Sequence, residues 1–297
     1  MSLPVVFIHN GNSTYLVNAF YQLKKSNPGT PVYLIGTSES KVYNSHVTHV
    51  LMKEYMNEAD SFKKIYRHFS TNSEAFELIC IQRWFILKEF LVKNDIERCL
   101  YMDSDVLFYT SIEKLAEKYE HVGMTRCGIS GHTNFVRRKT LEKFCRFITD
   151  CYIGEASVEK LRQHAVDFVK KHGSGGVSDM TFINNFAVAH PDQVADTYTP
   201  ESNETIDPSF KDGSEDFVMK DGPKKILFKK NIPFGYNIHD GHEVMFHTLH
   251  FQGTRAKNVM AQYIPERKID LMFLRMKYKL IYICQKIIFK LLPARNR

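Results

Sequence analysis

The sequence lacks any long apolar run. The apolar stretch near its start covers only residues 3–8, and the longest uncharged run near its end covers residues 280–285. A transmembrane helix needs about 20 apolar residues, and a secretory signal needs a basic segment before its apolar core. We therefore expect a cytoplasmic protein with neither a signal sequence nor a membrane-spanning helix.

The sequence also lacks paired cysteines. It has six, with no CxxC pair, and most of them stand among apolar residues: Cys80, Cys99, Cys127, Cys145, Cys151 and Cys284. Close, regular spacings mark disulfide frameworks and zinc sites, whereas a free thiol in a core packs like a small apolar side chain. The pattern predicts reduced core thiols in a reducing compartment.

The sequence also lacks an excess of basic residues outside its C-terminal tail. Residues 264–297 hold nine Lys and Arg against two Asp and Glu, whereas residues 1–263 hold 31 of each, so the formal net charge of +7 lies in the tail. A nucleic-acid-binding protein carries its basic face on the folded body, and we expect no nucleic-acid partner. With 43% hydrophobic and 25% charged residues the chain is globular rather than disordered.

Strand and helix patterns alternate in the first third of the chain. Apolar runs occur at residues 5–9, 31–35 and 99–102, and helical apolar spacing covers residues 13–25 and 77–92. Short continuous apolar runs are typical of buried strands, and apolar residues every three or four positions indicate a helix. This order predicts an α/β fold, a single Rossmann-like domain with a mostly parallel central sheet.

Weaker patterns cover the rest of the chain. We expect helices at residues 112–119, 140–152 and 178–186, and strands at residues 121–124, 225–228 and 244–251. We expect residues 134–136 to form a further strand or a turn. Residues 191–223 are acidic and contain prolines, which favours an extended surface segment. Residues 41–75 have no assignable pattern.

Two carboxylates follow the third predicted strand. Asp103 and Asp105 stand between the apolar residues 99–102 and 106–108, and the carboxyl end of a buried strand is where open α/β sheets bind ligands. Side chains two positions apart in an extended segment point the same way, and carboxylate oxygens suit Mg²⁺ or Mn²⁺. A solvated turn with two aspartates is the alternative, which the flanking apolar strand disfavours.

Residues 99–108 resemble the DxD segment of GT-A glycosyltransferases. Arg83, followed by Trp84 and Phe85, resembles the helix before that segment, in which an arginine faces the nucleotide. The resemblance spans about residues 4–257. It implies a GT-A domain, a bound Mn²⁺ or Mg²⁺, and a nucleotide-sugar donor of the UDP type.

A second segment, residues 250–257, resembles the HxxGxxK element of the retaining, glycogenin-like group of that family. By this resemblance His250 is the third metal ligand beside the two aspartates, and the lysine contacts the diphosphate. Here the lysine comes one residue late, so Lys257 and Arg255 are both candidates for that contact. A metal ion and a second cation would together neutralise a leaving nucleoside diphosphate. A half-buried strand histidine is the alternative role for His250.

Five further positions are candidate site residues. Asn10 and Gly11 join the first strand to the first helix, where main-chain N–H groups can meet a nucleotide. Gly253 allows a phosphate to approach the backbone closely. Asn134 lies where the family's sugar-binding segment falls, and could donate to a sugar hydroxyl. Asp179 resembles the residue that reaches the sugar or the acceptor, with helix capping as its alternative role.

The tail combines large apolar residues with a basic face. Arg275, Lys279, Lys286 and Lys290 are spaced by four, seven and four positions, which places them on one side of a helix. Such a helix can lie in a membrane interface and attract anionic lipids. Packing on the body or on a second subunit is the alternative. We predict a catalytic domain at residues 1–263 and an amphipathic helical tail at residues 264–297.

These features predict a metal-dependent hexosyltransferase that moves a sugar from a nucleotide sugar to a glycan or lipid-linked acceptor at the cytosolic face of a membrane, as in polysaccharide biosynthesis. The resemblance implies retention at the anomeric carbon, whereas inversion needs a base, for which Asp179 is the candidate. Two alternatives stay open. Asp103 could be the nucleophile of a haloacid-dehalogenase-type phosphohydrolase, whose motif residues 103–106 also fit, or the protein could be a non-catalytic membrane adaptor.

Overall fold

The computed structural model describes residues 2–43, 46–265 and 268–291. The strands are β1 (Val5–His9), β2 (Val32–Gly36), β3 (Thr48–Leu51), β4 (Arg98–Met102), β5 (Val106–Phe108), β6 (Met124–Arg126), β7 (Thr133–Arg137), β8 (Val194–Asp196), β9 (Glu204–Ile206), β10 (Leu227–Lys229), β11 (Ile232–Tyr236) and β12 (Glu243–His250). The helices are α1 (Leu16–Ser26), α2 (Asn57–Lys63), α3 (Glu74–Lys93), α4 (Ile112–Lys118), α5 (Arg138–Cys151), α6 (Glu155–His172), α7 (Asp179–Ala189), α8 (Thr254–Val259) and α9 (Lys268–Leu291). Short 3-10 helices cover Ser38–Tyr43, Met52–Tyr55 and Met260–Tyr263.

The larger sheet has seven strands in the order β3-β2-β1-β4-β7-β6-β8. β1 pairs in parallel with β2 and β4, so that Val5 lies opposite both Val32 and Leu100. β3 is parallel to β2 and β8 to β6, whereas β7 runs antiparallel to β4 and β6. The predicted α/β architecture with a mostly parallel central sheet is confirmed, including the β1-α1-β2 opening.

The smaller sheet brings a late segment of the chain to the end of β4. Its strands lie in the order β10-β11-β12-β5, and β9 pairs with β12. β5 is antiparallel to β12, with Val106 opposite His250. The main-chain N–H of Phe251 also donates to the carbonyl of Asp105 at 2.9 Å. Two segments far apart in sequence are thereby joined at the carboxyl end of β4.

The core lies on both faces of the larger sheet. Val5 and Phe7 of β1 point into one apolar cluster and Val6 into the other, as alternate residues of a strand must. Phe20 of α1 belongs to the first cluster and Trp84 of α3 to the second. Burial of each such side chain contributes about 1.5–3 kcal/mol to the free energy of folding. The packed sheet therefore keeps the residues at its edge in defined positions.

Residues 191–223 differ from the prediction of a surface segment. They contain β8 and β9, and Thr205, Asp207, Phe210 and Phe217 are all buried. The prediction was wrong because β9 pairs in parallel with β12, which draws this acidic stretch against the strand that ends in His250.

Two smaller differences have local causes. Helix α6 was not predicted, because its buried positions are only Val158 and Leu161 and leave a weak apolar pattern. Among the cysteines, Cys99, Cys127 and Cys145 are buried as expected, whereas Cys284 is exposed on α9.

Helix α9 packs one side against the body. Tyr278 is only 2% exposed and its ring lies 5.1 Å from that of Tyr43, with Leu274 and Ile281 packed on the same core cluster. The side away from these contacts carries exposed apolar residues spaced by four, four, three and four positions: Met272, Met276, Leu280, Ile283 and Ile287. None of the helices in the described ranges is long and apolar enough to cross a membrane.

Candidate active site

A cleft of about 800 Å³ opens where β1, β4 and β12 end. His9 and Asn10 line it from β1, Asp103 and Asp105 from β4, and His250 from β12; Arg83, Asp179, Gly253 and Lys257 also line it. The residues that follow β1 and β4 meet here because parallel strands end at the same edge of a sheet, and the pairing of β12 with β5 brings His250 to that edge.

Asp103, Asp105 and His250 converge on one point of the cleft. Each offers a ligand atom, and these atoms all lie within 4.8 Å of one another. Nε2 of His250 is 3.6 Å from Oδ1 of Asp105. The group offers two carboxylates and one imidazole, two of the three residues being buried. The carboxylate oxygens suit Mn²⁺ and Mg²⁺, and the added nitrogen ligand favours a transition ion such as Mn²⁺ over Mg²⁺.

The imidazole of His250 makes a hydrogen bond on the side away from Asp105. Its Nδ1–H donates to the carbonyl of Pro208 at 2.8 Å, which leaves Nε2 facing Asp105. Burial alone would lower the pKa of His250, but the hydrogen bond and charge of Asp105 raise it. His132 stacks on the ring at 4.0 Å between centroids, and burial lowers the pKa of His132 well below its usual value. A neutral ring therefore backs His250.

Arg83 bridges two carboxylates across the cleft. It donates to Oδ1 of Asp103 at 2.8 Å and to Oδ2 of Asp179. Tyr101 donates to the same oxygen of Asp103 at 2.6 Å, and Trp84 Nε1 donates to Asp179 at 3.2 Å. Helix α7 is capped by Ser178 through a capping box with Thr181, so capping does not need the side chain of Asp179.

Lys257 and Arg255 occupy different surroundings. Lys257 Nζ lies 3.0 Å from Oδ2 of Asp105, whereas Arg255 is exposed and does not line the cleft. Burial would raise the pKa of Asp105, but His250 and Lys257 lower it. Of the two cations, only Lys257 lies beside the candidate metal ligands. Gly253, with φ +84°, precedes α8 and turns the chain from β12 into that helix.

The remaining predicted residues divide into lining and buried positions. Asn10 lines the cleft, whereas Gly11 does not, and its carbonyl accepts a hydrogen bond from Ser40. Asn134 is fully buried in β7, where its Oδ1 accepts from the main chain of Thr125 at 3.2 Å. In this structure neither Gly11 nor Asn134 faces the cleft, and their binding roles stay predictions.

His9 was not singled out by the sequence analysis. Nδ1 contacts Ser104 Oγ at 3.0 Å and Nε2 contacts Ser13 Oγ at 3.2 Å, so it links the β1–α1 turn to the serine between the two aspartates. Burial, helped by the charge of Lys257, lowers the pKa of His9 to about 4. Its position at the end of the first predicted strand is the feature of the sequence that could have marked His9 as a site residue.

The comparisons with known proteins give structural likenesses only. No protein-family profile matches the chain, and no curated protein matches it in sequence. Among solved structures, it resembles an active-site variant of LgtC (12% identity, 89% of this chain and 97% of that chain, TM-score 0.48). It also resembles mouse xyloside xylosyltransferase 1 (9% identity, 69% of this chain and 88% of that chain, TM-score 0.46). A third similar structure is a glycosyltransferase involved in glycosylation of the major capsid of PBCV-1 (11% identity, 88% of this chain and 100% of that chain, TM-score 0.42). Such values assign no family and transfer no substrate.

Proposed function

We propose that this protein is a metal-dependent glycosyltransferase of the GT-A kind. The observation that carries the proposal is the convergence of Asp103, Asp105 and His250 on one point, with Lys257 beside them, at the ligand-binding edge of an α/β sheet. The donor we propose is a nucleotide sugar of the UDP type and the transferred group a hexose, as the resemblance of the DxD segment implies. A glycan or a lipid-linked molecule accepts the sugar.

The chain's own residues account for charge compensation in the reaction. Asp103, Asp105 and His250 would hold Mn²⁺ or Mg²⁺, which when bound supplies a Lewis acid beside the leaving diphosphate. Lys257 supplies a second positive charge at the same side of the cleft. Arg83 keeps the carboxylates of Asp103 and Asp179 in place.

The surroundings of Asp179 favour retention at the anomeric carbon. A general base needs an oxygen free to take the acceptor's proton. Oδ2 of Asp179 already accepts from Arg83 and Trp84, so this oxygen is not free to take a proton. We propose that Asp179 positions Arg83 and contacts the sugar or the acceptor, and that it does not act as a base through Oδ2.

Release of the nucleoside diphosphate from a panel of nucleotide sugars tests the proposal. We expect release from a UDP-sugar with Mn²⁺ and loss of that release in EDTA, with the Asp105→Asn variant as a control for contaminating activity. Hydrolysis of a simple phosphomonoester without any nucleotide sugar would instead support the phosphohydrolase, with Asp103 as nucleophile. No turnover of either substrate would support the adaptor.

We also propose that α9 attaches the domain to an anionic membrane surface. Met272, Met276 and Leu280 are exposed on α9, and Arg275 and Lys279 stand beside them along the helix. All of these except Leu280 also border a groove whose other wall is Thr14, Ala261 and Gln262 of the body. An apolar stripe next to cations fits the interface of an anionic bilayer. This would bring the cleft to a lipid-linked acceptor at the cytosolic face. The boundary between residues 263 and 264 stays a prediction.

A further inference from the structure

A fully buried ion pair lies behind His250. Lys224 Nζ is 2.8 Å from Oδ1 of Asp207, and both side chains have 0% exposure. The same ammonium group donates to the carbonyl of Ser209. Removing two charges from water is costly, and such a pair is weak evidence for a stabilising role. Its contacts therefore point to another purpose.

The segment that contains Asp207 contacts His250 repeatedly. Oδ2 of Asp207 accepts from the main-chain N–H of His250 at 3.0 Å, and the carbonyl of Pro208 accepts from its Nδ1–H at 2.8 Å. The main-chain N–H of Phe210 donates to the carbonyl of His250 at 2.8 Å. The carbonyl of Asp207 accepts from His132, whose ring stacks on that of His250. Both backbone polar groups and one ring nitrogen of His250 are thus fixed from one side.

Lys224 holds this segment from behind. Besides its two side-chain contacts, its main-chain N–H donates to the carbonyl of Phe210 at 3.0 Å. A Cβ on Gly213 would come within 2.8 Å of Cε of Lys224, so the loop closes tightly over the lysine stem. The lysine thereby ties three consecutive parts of the segment, at Asp207, Ser209 and Phe210.

We propose that Asp207 and Lys224 are positioning residues that fix the orientation and tautomer of His250 for metal binding. A histidine binds a metal through an unprotonated nitrogen, and the hydrogen bond of its other nitrogen decides which one that is. Through Asp207, the ion pair holds the Pro208 carbonyl opposite Nδ1, so that Nε2 is the free nitrogen on the side of Asp103 and Asp105. This inference rests on the metal site of the proposed function.

Two charge-neutral double variants separate positioning from bulk stability. Asp207→Asn with Lys224→Met removes both charges and keeps an oxygen for the N–H of His250, whereas Asp207→Leu with Lys224→Met removes that oxygen too. Mn²⁺ affinity is measured from the free-ion signal by electron paramagnetic resonance, and unfolding by urea. We expect the second variant to bind Mn²⁺ about 10 to 100 times more weakly than wild type. The first variant loses the hold of Lys224 on the segment and keeps the oxygen for His250, so we expect its affinity to lie between those of wild type and the second variant. Lys229→Met, at an exposed ion pair of the same sheet, is the control.

Equal Mn²⁺ affinity of wild type and the Leu/Met variant would overturn the inference. The tautomer of His250 in wild type tests it without any variant, by long-range ¹H–¹⁵N spectra at pH 9 assigned through His250→Gln. We expect the Nδ1–H form, and a predominant Nε2–H form would overturn the proposal even if the double variants do not fold. Failure of wild type to bind Mn²⁺ would refute the proposed metal site, and the tautomer would still decide the role of Asp207.

Discussion

The ammonium group of Lys257 lies 3.0 Å from Oδ2 of Asp105. Asp105 is buried and also faces His250 on its other oxygen. Burial would raise the pKa of this carboxyl group, and His250 and Lys257 lower it instead. The carboxylate is therefore kept ionised without a metal. In the proposed function a metal ion held by Asp105 would supply this charge compensation, and Lys257 would then be available to the diphosphate.

Lys257 and Arg255 form a matched pair for a first test, since both are cations of α8 and only Lys257 lines the cleft. We expect Lys257→Met to lower kcat/KM for the donor by about 100-fold, as for loss of one group that stabilises developing charge. Arg255→Met should stay within about twofold of wild type. Steady-state kinetics with Mn²⁺ measure both. The reverse order of effects would assign the diphosphate contact to Arg255.

Asp105→Asn tests the metal site directly. The amide keeps the size of the side chain and removes its charge, so the fold should persist while Mn²⁺ binding weakens. We expect kcat to fall by about 10²–10³-fold. Circular dichroism checks the fold and isothermal titration measures Mn²⁺ affinity. Retained turnover and retained Mn²⁺ affinity would show that Asp105 is not a ligand.

The parts of the site that follow one strand could be predicted from the sequence. β1 and β4 each contain four consecutive apolar residues, and Asp103 and Asp105 come directly after β4. Their place at the carboxyl edge follows from the parallel βαβ order alone. These signals are local, because each depends on neighbours within a few positions.

The neighbours of His250 could not be predicted in the same way. Its position beside Val106 depends on the pairing of β12 with β5, and the burial of Asp207 depends on the pairing of β9 with β12. Asp207 lies in the stretch predicted to be a surface segment, and no local pattern marks Lys224 as buried, since charged residues are almost never fully buried unless paired. Only the fold brings the two together.

Arg83 holds two carboxylates, which gives a third prediction. Arg83→Ala leaves Asp103 and Asp179 without their shared partner, so we expect the free energy of unfolding to fall by about 1–3 kcal/mol. The apparent donor KM should rise more than kcat falls, because the carboxylates lose their positions in the ground state too. Arg83→Lys should restore little of the lost stability or of the donor affinity. A single ammonium group lacks the two separate guanidinium nitrogens that donate to Asp103 and to Asp179. Urea unfolding and donor kinetics measure the two effects.

A rescue by Arg83→Lys in both measurements would mean that charge alone is required at this position. Unchanged stability and unchanged donor KM in Arg83→Ala would mean that the bridge contributes nothing to the site.

His247 makes stability depend on pH. Burial lowers its pKa to about 4, despite the opposing charge of Glu204. Above pH 6.5 the ring of His247 is neutral in the folded and the unfolded state. Between pH 6.5 and about pH 4 the ring is protonated in the unfolded chain and stays neutral in the folded chain. The free energy of unfolding should therefore decrease as the pH is lowered through this window. The expected decrease for this group is about 2 kcal/mol between pH 7 and pH 5. Urea unfolding in EDTA should show a smaller loss over that range for His247→Gln than for wild type.

Replacement of the exposed His121 by Gln is the matched control for that measurement. It should leave the difference between pH 7 and pH 5 unchanged. If His247→Gln shows the same loss as wild type, His247 does not titrate differently in the folded state.

The packing of Tyr278 decides how the tail must be tested. Its ring covers Tyr43, whose hydroxyl donates to Asn12 at 2.6 Å in the β1–α1 turn. Deleting α9 would uncover that contact and disturb the cleft, so a truncated chain cannot separate membrane binding from folding. Charge reversal at residues outside the core contacts of α9 can separate them. Arg275→Glu with Lys279→Glu changes two such groups, which border a groove against Thr14, and urea unfolding shows whether the variant keeps the stability of wild type.

We expect this double variant to lose binding to vesicles that contain anionic lipid and to keep wild-type donor hydrolysis in solution. Each cation near such a surface contributes roughly 1 kcal/mol, so reversing two should weaken sedimentation with the vesicles by at least tenfold at low salt. Lys139→Glu with Lys160→Glu makes the same change in net charge at exposed positions of α5 and α6, and should bind vesicles almost as wild type does. Equal losses in the two variants would mean that only net charge matters. Wild-type protein that stays in the supernatant at low salt would instead assign the apolar stripe of α9 to a protein contact.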